Sequence, residues 1–258
     1  MSNAQGFASM LLEAEQTKAP IEPFTQLAPT ISLEQAYEIQ LAYVEQKKQA
    51  GHKVIGKKIG ATSKAIQNMF NVNQPDYGHL FDYMLYKSGD TINIDQLIQP
   101  KVESELAFVL KEDIKGPNIT PLDVLLAIDY IVPAFEIIDS RIADWRIKFE
   151  DTVSDNGSSG LVVLGEQRLS IYDIDLTTIG LNTYQNGELI EMGTGSNVLG
   201  SPINSAVWLA NVLHQFNVPL LAGEVILTGA FTSALPIKKG DHFKAAFGQI
   251  GSVEVKFV

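Results

Sequence analysis

The spacing of apolar and polar positions predicts a helical N-terminal segment followed by a domain rich in strands. Residues 32–51 show helical spacing behind the capping-box pair Ser32 and Gln35, and Gly51 can end this helix. Further helices are predicted over residues 6–18, 63–72, 120–130 and 201–216. Short β-branched or alternating runs predict strands over residues 52–60, 99–110, 161–165, 180–191, 223–229, 242–248 and 251–258. QNGE, residues 185–188, predicts a hairpin turn within the run 180–191. We therefore expect an α+β protein with a helical segment over residues 1–52 and a second domain over residues 53–258.

The composition is that of a protein with a large core. The chain has 258 residues, 45% of them hydrophobic, and it has no cysteine, which excludes disulfides and thiolate chemistry. A formal charge of −11 argues against a nucleic-acid backbone as partner. The N-terminal residues lack the cationic stretch of a signal peptide, and no apolar run is long enough to span a membrane. We expect a cytoplasmic protein without nucleic-acid or membrane partners.

Two carboxylates interrupt the apolar strand predicted over residues 99–110. Because strand side chains alternate faces, Glu103 and Glu105 share one face and lie roughly 6.6 Å apart along the strand. Glu136 lies in a second apolar run, which we expect to begin as a strand after Pro133 ends the preceding helix. The spacing alone favours a solvated sheet face. The alternative is a site for one hard cation, such as Mg²⁺ or Mn²⁺.

Several other polar residues admit two interpretations. Lys57 and Lys58 alternate along an apolar strand, so one of them should point inward, where it could balance carboxylate charge. Asp76 lies in QPDYGHL, a stretch that favours a turn residue over a general base. Ser158, in DTVSDNGSSG, can bond a carboxylate or its own backbone. GTGSNVLG lacks the spacing of a dinucleotide-binding loop and is expected to be a flexible turn.

Five stretches in this order closely resemble a known family: VIGKKIGATSKAIQNMF, QPDYGHLFDYM, LIQPKVESELAFVL, PAFEIIDSRIADWRIKFEDTVSDNGSSG and GEVILTGA. They are similar to the 2-keto-4-pentenoate hydratases (2-hydroxypentadienoate hydratases) and 4-oxalocrotonate decarboxylases of the fumarylacetoacetate hydrolase superfamily. The resemblance covers the chain from about residue 30 to its end. It implies a mixed β roll with flanking helices, with residues 53–258 as the catalytic domain. It also implies a homo-oligomer that can associate with a related pathway enzyme.

The same resemblance implies a reaction and a site. Water would add to C4 of 2-hydroxypenta-2,4-dienoate after protonation at C5, giving 4-hydroxy-2-oxopentanoate, while an ion stabilises charge on the C2 oxygen. Lys58 and Asp76 would serve the proton transfers, and Ser158 would hold the substrate carboxylate or the water. The implied ligands of Mg²⁺ or Mn²⁺ are Glu103, Glu105 and Glu136.

Two stretches depart from the hydratase pattern. SDNGSS carries Gly157 where alanine is usual, and TGAFTSALPI is more similar to the decarboxylases and the heptenedioate hydratases. Thr232 or Ser233 could then contact the second carboxylate of a longer substrate. A 4-oxalocrotonate decarboxylase and a 2-oxohept-3-enedioate hydratase are therefore alternatives, whereas an acylpyruvate hydrolase or a non-catalytic partner subunit is less favoured.

Overall fold

The chain begins with a helical segment, as predicted. The computed structural model describes residues 3–258, so the first two residues of the predicted segment 1–52 lie outside the described residues. The helices are α1 (Asn3–Thr17), α2 (Phe24–Leu27) and α3 (Leu33–Gln49). The capping box of α3 is present, because the Gln35 N–H donates to Ser32 Oγ and the Ser32 N–H donates to the Gln35 side chain. The domain boundary after residue 52 stays a prediction.

The rest of the chain consists mainly of strands, with helices inserted between some of them. In order, they are β1 (Val54–Gly60), α4 (Lys64–Phe70), β2 (Asp76–Phe81), β3 (Leu85–Lys87), β4 (Thr91–Ile92), β5 (Pro100–Leu110), α5 (Pro121–Ala127), β6 (Ile128–Asp139), α6 (Phe149–Ser154), β7 (Ser159–Leu164), β8 (Gly180–Gln185), β9 (Glu188–Thr194), α7 (Pro202–His214), β10 (Val225–Leu227), β11 (Leu235–Pro236), β12 (His242–Phe247) and β13 (Gly251–Phe257). The predicted hairpin turn between β8 and β9 is present, with Asn186 and Gly187 at φ values of 54° and 90°.

Two mixed sheets carry the fold. The larger sheet has the order β2-β1-β10-β5-β6-β7-β3, and β11 pairs with β5 beside this path. The smaller sheet has the order β4-β13-β12-β8-β9. β1 runs parallel to β10, β3 to β7 and β4 to β13, whereas β5 is antiparallel to both of its central neighbours, β10 and β6.

β5 and β6 form the centre of the larger sheet, and their two faces have different surroundings. One face, which includes Leu106 and Phe135, belongs to the same hydrophobic cluster as Phe243 of the smaller sheet. The other face, which includes Ala107 and Val132, belongs to a second cluster. That cluster also contains Leu11, Ile39 and Tyr43 of α1 and α3. The alternation predicted for β5 is therefore confirmed. Its odd-numbered residues lie on the face of the sheet that packs against α1 and α3, called the helix side below.

The prediction that Pro133 ends a helix is wrong. α5 ends at Ala127 and β6 begins at the next residue, so Glu136 lies inside a strand and not at its start. The Pro133 carbonyl accepts a hydrogen bond of 2.8 Å from the N–H of Gly165, which follows the last residue of β7. The missing N–H of proline therefore falls where the ladder with β7 ends, and the strand tolerates it.

The helices in residues 3–258 do not include one that is long and apolar enough to cross a membrane. The cytoplasmic location stays a prediction.

Candidate metal and substrate site

Three glutamates converge on the helix-side face of the larger sheet. Glu103 and Glu105 point the same way from β5, and Glu136 of β6 lies directly opposite Glu103 in the strand register. Carboxylate oxygens of the three lie within 4.8 Å of one another. Glu105 and Glu136 have no exposed surface, while Glu103 is partly exposed and lines a cavity. The solvated sheet face that the spacing alone favoured is therefore wrong, because two of the three glutamates are buried.

The electrostatics of this cluster fit a cation. Burial, and then repulsion by Glu136, raises the pKa of Glu103 to about 7. Burial likewise raises the pKa values of Glu105 and Glu136. One Glu105 oxygen accepts from the Gly229 N–H at 2.8 Å, but its Oε1 is buried without a hydrogen-bond partner in the described residues. A divalent ion would satisfy that oxygen and cancel the repulsion, so the donor set suits Mg²⁺ or Mn²⁺.

Lys58 provides a cation at the edge of the cluster. Its Nζ lies 3.3 Å from the Glu136 carboxylate, and its side chain is only 3% exposed. Burial opposes the charged ammonium, but the carboxylates of Glu136 and Asp76 outweigh it and raise the Lys58 pKa. Lys58 is thus the inward-pointing lysine that the alternation predicts, and Lys57 is also buried, paired with Glu224 at 2.5 Å on the other face of β1.

Asp76 is a buried residue of the site and not a turn residue, so the turn interpretation is wrong. It opens β2 opposite Gly60 of β1, and its Oδ1 has no hydrogen-bond partner in the described residues. Burial raises the Asp76 pKa against the opposing charge of Lys58. A Cβ on Gly60 would lie 2.1 Å from Asp76 Oδ1 and 3.3 Å from Lys58 Nζ. A side chain at position 60 would therefore collide with Asp76 and crowd Lys58, so the site requires glycine there.

The loop that carries Ser158 is tightly held. Asn156, Gly157 and Ser158 have φ values of 56°, 61° and 54°. The Asn156 side chain bonds both the N–H and the C=O of His79, at 2.7 and 2.8 Å, which fixes the loop to β2. Ser158 Oγ donates to Asp155 Oδ2 at 3.0 Å, so the carboxylate alternative is the one that the structure shows.

These groups line one cavity of about 1290 Å³. Its wall includes Glu103, Lys58, Asp76, Ser158 and Thr232, all of them predicted site residues. Glu105 and Glu136 are buried beside it. Thr232 Oγ1 is buried and has no hydrogen-bond partner in the part of the chain that the structure describes.

The wall also contains polar and aromatic residues that were not predicted, among them Lys101, Trp145, Thr152 and Asn197. Asn197 comes from GTGSNVLG, which is a short 3₁₀ turn bonded to the Phe231 carbonyl at 2.8 Å and not a free flexible turn. Lys101 could have been found from the sequence, since it shares the face of Glu103 two residues away. The other three reach the cavity from distant parts of the chain, and no local pattern marks them.

Comparison with known proteins identifies the family. A model of the fumarylacetoacetate (FAA) hydrolase C-terminal family matches residues 35–258. The chain belongs to this family. Two relatives in the family are similar over most of their length. A 2-hydroxypent-2,4-dienoate hydratase of Pseudomonas putida is 49% identical, over 81% of this chain and 94% of its own. A 2-hydroxyhexa-2,4-dienoate hydratase of Comamonas testosteroni is 42% identical, over 96% of this chain and 94% of its own.

A solved structure of the fumarylacetoacetate hydrolase family has the same fold. The 4-oxalocrotonate decarboxylase of Pseudomonas putida G7, complexed with magnesium and adipate, is 34% identical and superposes with a TM-score of 0.96. The match covers 99% of this chain and 97% of the decarboxylase. The predicted fold, an α+β mixed β roll with flanking helices, is confirmed.

Proposed function

We propose that this protein is a divalent-metal-dependent hydratase that adds water to 2-hydroxypenta-2,4-dienoate and forms 4-hydroxy-2-oxopentanoate. The observation that carries the proposal is the cluster of three carboxylates, two of them fully buried, beside a cavity that is also lined by Lys58 and Asp76. The hydratase names of relatives that are 49% and 42% identical support the substrate class.

Glu103, Glu105 and Glu136 are the residues that would hold the ion, because carboxylate oxygens are the ligands that Mg²⁺ and Mn²⁺ prefer. When bound, the ion supplies Lewis-acid stabilisation of negative charge on the C2 oxygen of the substrate. The magnesium of the related decarboxylase supports a divalent cation. The carboxylate set suits Mg²⁺ and Mn²⁺ alike.

Lys58 and Asp76 are placed to move the protons. Ketonisation of the dienol takes a proton from the C2 hydroxyl and delivers one to C5, and water addition then puts hydroxyl on C4 and a proton on C3. Asp76 Oδ1 has no hydrogen-bond partner within the described residues and would hold a proton, and both this oxygen and Lys58 Nζ border the same position at Gly60. Burial raises the Asp76 pKa towards the range where a carboxyl can both accept and release a proton.

A second candidate is decarboxylation of 4-oxalocrotonate. The related decarboxylase, with a TM-score of 0.96, was complexed with the dicarboxylate adipate. In this chain the unpartnered Thr232 hydroxyl and Lys101 line the same cavity as the three glutamates. Both groups could contact a second carboxylate, which a five-carbon monocarboxylate lacks.

The test follows the ultraviolet absorbance of freshly prepared 2-hydroxypenta-2,4-dienoate with the purified protein, in Mg²⁺ or Mn²⁺ and then in excess chelator. We expect metal-dependent loss of the dienol, with 4-hydroxy-2-oxopentanoate identified by NMR. Carbon dioxide release from 4-oxalocrotonate, with the dienol left intact, would move the assignment to the decarboxylase. Inactivity towards both substrates in the metal-loaded protein would reject both candidates.

A further inference from the structure

A buried carboxylate behind the cavity wall accepts the single hydrogen bond that the Ser158 hydroxyl can donate. Asp155 is 0% exposed, and its Oδ2 accepts from Ser158 Oγ at 3.0 Å. The same oxygen accepts from Ser140 Oγ and from the Arg141 N–H, both at 3.1 Å. Its Oδ1 accepts from Arg141 Nε at 2.6 Å. The Asp155 carboxylate therefore receives four hydrogen bonds from three residues.

The arrangement around Asp155 fits an ionised carboxylate. The Arg141 guanidinium is itself fixed, because its Nη1 donates to the carbonyls of Asp139 and Ser159 at 3.0 and 2.6 Å. A guanidinium in this position favours the charged form of its partner, although burial raises the Asp155 pKa to about 6. An ionised carboxylate can only accept hydrogen bonds. In the contact with Asp155, the donor must therefore be the Ser158 hydroxyl.

This leaves Ser158 with only lone pairs for the cavity. A hydroxyl has one proton and two acceptor positions, and the proton of Ser158 is engaged behind the wall. The Thr152 hydroxyl, 3.5 Å away, has a single proton and can fill only one of the two acceptor positions. Asn156 fixes the backbone of this loop to β2, which keeps Ser158 beside Asp155. Turning the hydroxyl proton away would break its hydrogen bond to a buried carboxylate, which is costly. A substrate carboxylate also offers only acceptors, so it cannot form a hydrogen bond with this oxygen. A water molecule can, because its O–H donates.

We infer that Ser158 is a hydrogen-bond acceptor that holds the attacking water, and that Asp155 is the positioning residue that makes it so. This inference rests on the proposed hydratase function for the role of the water. Of the two roles expected for Ser158, holding the substrate carboxylate or holding the water, it selects the water. Asp155 acts through Ser158 and does not itself reach the cavity wall.

A binding experiment tests the orientation without any turnover. The affinity of Mg²⁺-loaded protein for 2-oxopentanoate, a saturated analogue, is measured by isothermal titration calorimetry for wild type and for Ser158→Ala. Since Ser158 has no proton to give the ligand carboxylate, we expect the two dissociation constants to agree within about twofold. A loss of affinity of about tenfold or more would show that Ser158 donates to the carboxylate, and would overturn the inference.

A kinetic cycle tests the positioning role of Asp155. Asp155→Asn offers an amide N–H to Ser158, which turns the serine proton towards the cavity; we expect kcat to fall about 10- to 100-fold with KM within about threefold. In a Ser158→Ala background the same substitution should cause no further loss of kcat. Losses that multiply instead would assign Asp155 a separate structural role and overturn its action through Ser158.

Ser140→Ala is the matched control, since it removes another donor to the same Asp155 oxygen away from the cavity wall. We expect its kcat to stay within about twofold of wild type. Thermal unfolding reports whether each variant folds, and the Ser158→Ala titration decides the orientation even if Asp155→Asn does not fold. If wild type binds the analogue but leaves the dienol unchanged, the proposed function fails while the titration still decides the orientation of Ser158.

Discussion

Glu103 and Glu136 face each other directly across β5 and β6, with Glu105 two residues further along the same face. Like charges placed directly opposite in a sheet are destabilising, and here two of the three carboxylates are fully buried. Lys58, 3.3 Å from Glu136, is the one cation that an ion pair brings to this cluster in the described residues. The site therefore lowers the stability of the metal-free protein, and this has measurable consequences.

The first prediction concerns metal removal. Mg²⁺ or Mn²⁺ should raise the thermal unfolding midpoint and excess chelator should lower it, because the ion binds only the folded cluster. A concentration of about 100 times the dissociation constant would stabilise the fold by about 2.7 kcal/mol. Calorimetric scans at several metal concentrations measure the effect. A midpoint that does not depend on metal would contradict the three-glutamate site.

A second prediction concerns one ligand. Glu105→Gln removes one buried negative charge, so in chelator it should stabilise the metal-free protein by about 1 kcal/mol or more, because like-charge repulsion is reduced. The metal-induced shift of the unfolding midpoint should disappear in the same variant. Glu112→Gln, at an exposed position, is the control and should change neither quantity. A Glu105→Gln variant that is less stable in chelator and keeps the metal shift would exclude Glu105 as a ligand.

A third prediction separates the two adjacent lysines. Lys58→Met should lower kcat about 100-fold or more with little loss of metal affinity, because it removes a group proposed for proton transfer and leaves the three glutamates intact. Steady-state kinetics and metal titration measure the two quantities. Equal loss of activity and of metal affinity would assign Lys58 to the metal site alone.

Lys57→Met is the matched control on the opposite face of the same strand. It leaves Glu224 buried without its partner at 2.5 Å, so the free energy of unfolding should fall by about 3–5 kcal/mol. The kcat of the folded protein should stay within about twofold, since Lys57 does not line the cavity. A large loss of kcat in this variant would show that the effect of replacing a lysine does not depend on which face of β1 the lysine occupies.

A fourth prediction concerns pH and His79, which is 3% exposed and lies opposite Lys57. Burial, and then the charge of Lys57, lowers its pKa from 6.5 to about 3, so the folded protein keeps His79 neutral. The unfolded chain binds a proton below pH 6.5, and stability falls as the pH drops from 6.5 towards 3. At pH 5 this linkage costs about 2 kcal/mol.

The measurement is urea unfolding at pH 8 and pH 5 for wild type and His79→Gln. Neighbouring carboxyl groups contribute equally to both proteins, so the difference between them isolates the histidine. Wild type should lose about 2 kcal/mol more than the variant on going to pH 5. Equal losses would mean that His79 is not held neutral by the fold.

A fifth prediction concerns substrate length. Thr232→Val keeps the shape of the side chain and removes the unpartnered hydroxyl, so we expect stability to be unchanged or slightly raised. If Thr232 contacts a second carboxylate, kcat/KM for a dicarboxylate such as 4-oxalocrotonate should fall about tenfold, with that for 2-hydroxypenta-2,4-dienoate within about twofold. Equal changes for the two substrates would remove Thr232 from the choice between them.

Local patterns in the sequence were sufficient for several elements and for two of the three glutamates of the metal cluster. The Ser32 and Gln35 capping box, the alternation along β5 and the turn at Asn186 and Gly187 each depend on residues a few positions apart, and each is confirmed. The common face of Glu103 and Glu105 follows from the two-residue period of a strand. The sequence also singled out Glu136, Lys58, Asp76 and Ser158 but left two interpretations of each open. The resemblance to a family assigned them to the site, and their catalytic roles stay predictions.

The tertiary structure decided which of those residues are buried and what they face. Lys57 is buried because Glu224, 167 positions away, neutralises its charge. Asp76 lies in a strand and not in a turn, because β2 pairs with β1 at Gly60. Pro133 lies in a strand because β7 ends beside it. Strand periodicity and helix capping are properties of neighbouring residues. Burial and charge balance depend on partners that only the completed fold brings within a few ångströms.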